Sequence, residues 1–260
     1  MVGFCARLLR FAAAARVRGD RTGYDFARGL IWECDARLRH FAAGGPLRLP
    51  VVDLADLVGD LALSVNAAAL RTEDGGVSPL ESLCLAALVR HRAPRRIFEI
   101  GTFKGRTTCL LARHAPADAE LLTLDLPPEA VPGMAVAPTD GDLRYIAKPR
   151  IGECFADDPA RGRIRQLLGD SRTFDFAPYH RTCDFVFVDG AHSHPFVAAD
   201  TATAFELIRA GGVIVWHDYK PGCPGVLRAL HAAARERALV ALRGTSLAVH
   251  WPPVGGVRPW

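Results

Sequence analysis

From Arg95 to His250 the chain alternates short apolar runs with stretches of helical periodicity, and this alternation limits the fold more than any other feature. Arg96–Ile100, Glu120–Leu126, Ile164–Gly169, Asp184–Val188 and Val213–Trp216 read as strands, while Arg106–His114, Pro195–Ala210 and Gly225–Ala238 read as helices. Asp184-Phe-Val-Phe-Val188 is apolar at both parities after its first residue, the pattern of a strand covered on both faces. Leu239–Leu242 and Ser246–His250, joined by Arg-Gly-Thr, read as a closing hairpin. Strands separated by helices give a mostly parallel sheet with helices on both faces, an α/β fold. Ligands of such sheets bind at the carboxyl ends of strands near the reversal of strand order, so the residues that follow each strand carry the functional information.

Residues 1–77 read differently. Leu8, Leu9, Phe11 and Ala12 form one helical stripe, and Phe26, Leu30, Ile31, Cys34 and Leu38 form a second. Gly44-Gly45-Pro46 ends that helix, and Val52–Leu70 again reads as helical. Ser78-Pro-Leu-Glu81 is a strong helix start, with Ser as cap, Pro at the first position and Glu at the third. The expected organisation is an N-terminal helical extension over 1–77, serving as a cap on the pocket mouth or in a homodimer, and a cofactor-binding domain over 78–260.

Charge separates the same regions. Residues 1–50 hold nine arginines against four acids, whereas residues 51–260 hold 23 basic against 24 acidic residues. The near-neutral body does not support a nucleic-acid partner. No run of apolar residues is long enough to span a membrane. Arg10 interrupts the short apolar stretch near the start, so an amphipathic helix fits better than a signal peptide. The seven cysteines are odd in number and form no C-x-x-C pair, which reads as buried thiols in a reducing cytoplasm.

The first strand ends in Glu99-Ile-Gly101-Thr102-Phe103-Lys-Gly105. Glycines there let a ligand approach the backbone. An acid two residues before Gly101 would repel phosphate but suits an ammonium. Asp125, at the end of the second strand, can accept both hydroxyls of a ribose. Asp170 and Ser171, after the third, can bind the adenine side. These strand ends describe a site for an adenosine with a cationic tail and no phosphates, which points to S-adenosylmethionine. The fourth strand ends in Asp189-Gly-Ala-His192 and the fifth in Trp216-His217-Asp218-Tyr219. Two acids and several histidines thus converge beside the cofactor pocket. Methyl transfer to a hydroxyl requires removal of its proton, by a base such as His or with the help of a divalent cation. Oxygen ligands such as Asp189 and Asp218 favour Mg²⁺, and His217 moves the preference toward a transition metal. Asp189 as a helix cap and His217 as a packed core residue are the plainer readings.

Glu99-Ile-Gly-Thr-Phe-Lys-Gly-Arg-Thr107, Leu168-Gly-Asp-Ser171, Val188-Asp-Gly-Ala-His192, Gly211-Gly-Val-Ile-Val-Trp-His-Asp-Tyr219 and Pro224-Gly-Val226 resemble class I S-adenosylmethionine-dependent methyltransferases. The branch they are most similar to is methyltransferase domain 24, related to macrocin-type sugar and catechol-type O-methyltransferases. The resemblance covers about residues 78–251. It implies a Rossmann-like sheet of seven strands with the last antiparallel. It also implies that Glu99, Gly101, Thr102 and Gly105 hold the methionine end, Asp125 the ribose, and Asp170 with Ser171 the adenine side, with Phe103, Thr107 and Asp189 also in the cofactor-binding set. Asp189 and Asp218 correspond to Mg²⁺ ligands of metal-dependent relatives, and His192 to their base. Catechol-type relatives carry Asn or Asp where this chain has Tyr219, so the cation set expected here is Asp189, His217 and Asp218. The implied activity is O-methylation of a small molecule such as a sugar, polyketide or phenol. A metal-dependent hydroxylase on the same fold and a non-catalytic cofactor-binding protein are the alternatives.

Overall fold

The structure, a computed structural model, describes residues 48–252 apart from 71, 73, 148 and 149. The two helical stripes expected before residue 40 lie outside the described residues. The account here concerns the compact unit formed by Leu49–Tyr219 and the chain from Cys223 onward.

Eight strands form one sheet: β1 (Val51–Val52), β2 (Arg96–Ile100), β3 (Glu120–Asp125), β4 (Ile164–Leu168), β5 (Cys183–Val188), β6 (Ile208–Trp216), β7 (Val240–Leu242) and β8 (Ala248–His250). Their spatial order is β1-β7-β8-β6-β5-β2-β3-β4. All neighbours are parallel except β8, which runs antiparallel to both β6 and β7. The mostly parallel sheet with an antiparallel last strand is therefore present. The eighth strand, absent from the seven-strand expectation, is β1, which pairs in parallel with β7.

Six α-helices fall among the described residues: α1 (Leu54–Val58), α2 (Pro79–Arg92), α3 (Arg106–His114), α4 (Asp140–Ile146), α5 (His194–Leu207) and α6 (Pro224–Ala233). The strand period of two sorts the core into two layers. Ile97, Phe185, Phe187, Val213 and Val215 face one side, with Leu85, Leu88, Val89, Leu110 and Leu111 of α2 and α3. Phe98, Ile100, Val186, Val188, Ile214 and Trp216 face the other, with Val197, Leu207, Val226 and Leu230 of α5 and α6. The central strands are almost wholly inaccessible, and each such side chain contributes about 1.5–3 kcal/mol of burial.

Two expectations fail for local reasons. The helix read over Val52–Leu70 is instead strand β1, the short α1 and a 3₁₀ turn at Ala67–Leu70. Asp53 and Asp56 form a reciprocal cap at the start of α1, and Gly59, with φ 66°, ends it one turn later. The helix read to Ala210 stops at Leu207, because Ile208 already pairs with Cys183 on β5. A register shift then carries the pairing to Phe185 with Val213, so Gly211 and Gly212 lie inside β6 and do not close a helix. Asp184 holds this irregular edge, accepting hydrogen bonds from the amides of Arg95 and Arg96 at 2.7 and 2.8 Å and pairing with Arg209.

The consecutive strands β2, β3 and β4 run outward in one direction and β5, β6 in the other, so strand order reverses between β2 and β5. Their ends touch there. Gly101 has φ 99°, and a Cβ on it would lie 2.0 Å from the carbonyl oxygen of Asp189. Both the left-handed backbone and the contact demand glycine. Gly101→Ala is expected to destabilise the protein by about 3 kcal/mol or more in denaturant unfolding; a loss under about 1 kcal/mol would contradict the close approach.

Candidate active site

A cleft opens at this reversal, lined by the ends of β2, β3, β4 and β5. Of the residues singled out by sequence, Gly101, Phe103, Asp125, Asp170, Ser171, Asp189 and His192 line it. Asp125 shapes the first turn, since its Oδ2 accepts from the Phe103 amide at 2.7 Å and its Oδ1 from the Leu126 amide at 2.8 Å. Phe103 has φ 49°, a left-handed conformation held by that bond. Asp170 Oδ1 accepts from the Arg172 amide at 2.9 Å.

Glu99, Thr102, Gly105 and Thr107 do not line the cleft. The parity of β2 puts Glu99 on the same side as Ile97, beneath α3, where it is completely buried. Its Oε2 accepts from the hydroxyls of Thr108 and of Thr123, the latter at 2.6 Å. Burial pushes its pKa up to about 8 despite these bonds. Thr102 turns inward to the Thr123 hydroxyl at 2.7 Å and accepts from Gln166 at 3.0 Å. Gly105 caps α3 with φ 83°, and a Cβ there would meet the Phe155 ring at 2.6 Å. Thr107 is half-buried on α3, and it is its neighbour Thr108 that reaches Glu99.

His217 and Asp218 line a second, much smaller cavity, which shares Asp189 and His192 with the cleft. Asp218 occupies the left-handed region at φ 62°, unusual for a residue with a side chain. His192 lies between two carboxylates, Nδ1 at 2.5 Å from Asp142 Oδ1 and Nε2 at 2.6 Å from Asp218 Oδ2. Burial alone would lower its pKa, but these two bonds outweigh it and raise the ring to about 10. His217 is likewise enclosed. Its Nδ1 is 2.9 Å from Asp189 Oδ1 and 3.4 Å from Asp218 Oδ2, and its Nε2 is 3.3 Å from Glu81 Oε2. Burial would again favour the neutral ring, and Asp189 with Asp218 reverses this, so its pKa lies well above the usual value. Asp189, His217 and Asp218 offer ligand atoms within 4.8 Å of one another, a set with the chemistry to hold a divalent cation. Tyr219 stands apart from this set, since its hydroxyl accepts from the Leu49 amide and meets His231 Nε2 at 2.9 Å.

Sequence reasoning missed four residues. Asp142 lies on α4, inside a Pro- and Gly-rich excursion whose only legible signal was the Thr139-x-x-Asp142 cap that the structure does form. Tyr145, also on α4, lines the cleft and packs edge-on against Phe103. Its ring lies over Gly75, where a Cβ would come within 2.5 Å of it. Glu81 was legible as a helix cap, and its reach to His217 was not. Asp200 on α5 is buried beneath Gly190 and bonded to the Ser171 hydroxyl, and burial raises its pKa to about 7.

A family model described as a methyltransferase domain matches residues 98–219. No curated protein matches the chain. Among solved structures, the S-adenosylhomocysteine-bound methyltransferase PaMTH1 of Podospora anserina is similar at 18% identity, over 69% of this chain and 81% of that one, with a TM-score of 0.52. The O-methyltransferase TomG of Streptomyces achromogenes, involved in tomaymycin synthesis and crystallised with S-adenosylmethionine, is similar at 23% identity, over 72% of this chain and 89% of that one, with a TM-score of 0.49. The likeness to PaMTH1 shows the fold. No helix among the described residues is long and apolar enough to cross a membrane.

The buried acid predicts a pH signature. Glu99 stays protonated in the fold up to about pH 8, against an ordinary value of 4.5. As pH rises through that window the unfolded chain releases this proton and the folded one does not, so stability falls. Glu99→Gln removes the loss. Its stability relative to the parent, from urea unfolding, should grow between about pH 5 and about pH 8. A difference independent of pH would show that Glu99 is ionised in the folded protein.

Proposed function

We propose that this chain, whose residues 98–219 match a family model described as a methyltransferase domain, transfers a methyl group from S-adenosylmethionine to a hydroxyl of a small molecule. One observation carries the reading. The cleft at the strand reversal is walled by Asp125, Asp170 and Asp189, and among the described residues no Lys or Arg lines it. Such a wall repels phosphates and suits an adenosine whose tail is a cation. Asp125 receives the ribose hydroxyls, and Asp170 with Ser171 receives the adenine side. With Glu99 turned beneath α3, the ammonium falls to Asp189 and the backbone at Gly101.

The acceptor side belongs to α4 and the loop before it. Met134, Pro138, Tyr145 and Ile146 give this part of the cleft an apolar wall, which suits an acceptor with a hydrophobic face. His192 is the base that takes the hydroxyl proton, on Nε2. Asp142 on Nδ1 fixes the ring and stabilises the imidazolium that forms. A ring held between two carboxylates, its pKa raised to about 10, accepts the hydroxyl proton only after releasing its own to solvent. Asp189, His217 and Asp218 would hold a divalent cation, which lowers the pKa of a bound hydroxyl and orients it.

Titration calorimetry with S-adenosylhomocysteine tests the cofactor assignment. The parent should bind, and Asp125→Ala should bind about 10- to 100-fold more weakly. Absence of binding to the parent would overturn the proposal. In methyl transfer to a panel of phenolic and sugar hydroxyls, His192→Gln should lower kcat about 10²- to 10⁴-fold while leaving S-adenosylhomocysteine affinity within about threefold. An unchanged kcat would remove His192 as the base.

A further inference from the structure

We infer that Glu81 is a positioning residue for the divalent-cation site, holding His217 so that the site takes a transition-metal ion in preference to Mg²⁺. This rests on the reading that Asp189, His217 and Asp218 hold a cation.

Glu81 does more than cap a helix. A cap needs one carboxylate oxygen at the helix surface, and Glu81 is buried, with 5% of its surface exposed. Its Oε2 accepts from the Ser78 amide at 2.8 Å, as the cap requires. The same oxygen is 3.3 Å from His217 Nε2. Its Oε1 accepts from both the amide and the hydroxyl of Ser246, at 2.8 and 2.7 Å. One carboxylate therefore ties the start of α2 and the turn before β8 to the residue that follows β6. The ring of His217 is 9% exposed. With Nε2 directed at Glu81, its other nitrogen faces Asp189 and Asp218 at 2.9 and 3.4 Å. A histidine that donates one ring N–H to a carboxylate and turns the other nitrogen to a group of acids has the arrangement of a metal-ligating histidine. The left-handed backbone of Asp218 is the strain expected where side-chain placement is paramount.

Donor chemistry then selects the ion. Mg²⁺ takes oxygen ligands in near-ideal octahedra and keeps several waters. A fixed imidazole nitrogen favours the later divalent ions of the first transition row. A loosely held His217 could turn away and leave a two-carboxylate Mg²⁺ site, and Glu81 prevents that.

Calorimetric titration of the full chain with Co²⁺, Mn²⁺ and Mg²⁺, with the Co²⁺ visible absorption spectrum as a second readout, tests this. The parent should bind Co²⁺ at least about 10-fold more tightly than Mg²⁺. Glu81→Gln should weaken Co²⁺ binding about 10- to 100-fold and alter the Co²⁺ spectrum. Ser78→Ala removes the hydroxyl that accepts from the Glu81 amide but leaves the Glu81 carboxylate on His217, so it should keep the parent's Co²⁺ affinity within about twofold. His217→Asp should bring the Co²⁺ and Mg²⁺ affinities within about threefold of each other, and it decides the question even if Glu81→Gln fails to fold. Mg²⁺ binding as tightly as Co²⁺ in the parent, or an unchanged Co²⁺ affinity in folded Glu81→Gln, would overturn the inference. S-adenosylhomocysteine binding with no cation binding would remove the cation site and leave the cofactor reading standing. Failure of S-adenosylhomocysteine itself to bind would fall on the cofactor reading.

Discussion

Strand β2 pairs with β3 on one side and β5 on the other, and the helices that follow β2 and β5 pack on opposite faces of the sheet. The chain therefore diverges at their carboxyl ends, and the space left between is the cleft. Everything proposed for the site follows from this geometry. The glycine at 101 lets the two strand ends come together, and the acids after β3, β4 and β5 are brought to one rim by parallel pairing alone. A different strand order with the same residues would scatter them.

The rim concentrates charge. Glu81, Asp142, Asp189 and Asp218 surround two histidines, and most of this group is withdrawn from water. Buried ions are tolerated where each has a partner of opposite sign, and each imidazole here is bracketed by carboxylates. The cluster couples elements far apart in sequence, because α2, α4 and the ends of β5 and β6 each contribute one or two members. Hydrogen bonds join these members across the four elements, which makes the cluster a clamp on the fold.

Much of this arrangement is legible in the residues. Strand ends are marked by Gly101, Asp125, Gly169-Asp170 and Asp189-Gly190, and buried parallel strands announce themselves by unbroken apolar runs. What is not legible depends on parity and on long-range packing. Nothing local says which face of β2 will carry α3, so Glu99 reads equally well as a ligand-facing acid and as the buried partner of Thr108 and Thr123. Asp142 sits in an excursion with little periodicity, and only the folded chain brings it 50 positions along to His192. Glu81 carries a clear local signal, the helix cap, and that signal conceals its second role. The register shift at Gly211-Gly212 is not legible either, because a glycine pair suits a bulge and a helix end equally well.

The contact between Tyr145 and Gly75 reaches beyond local packing. Gly75 does not touch the cleft, yet its bare Cα provides the shelf on which the Tyr145 ring rests. A Cβ there would come within 2.5 Å of the ring, so the ring could not keep its present place. The shape of this part of the cleft thus depends on a backbone position outside its lining.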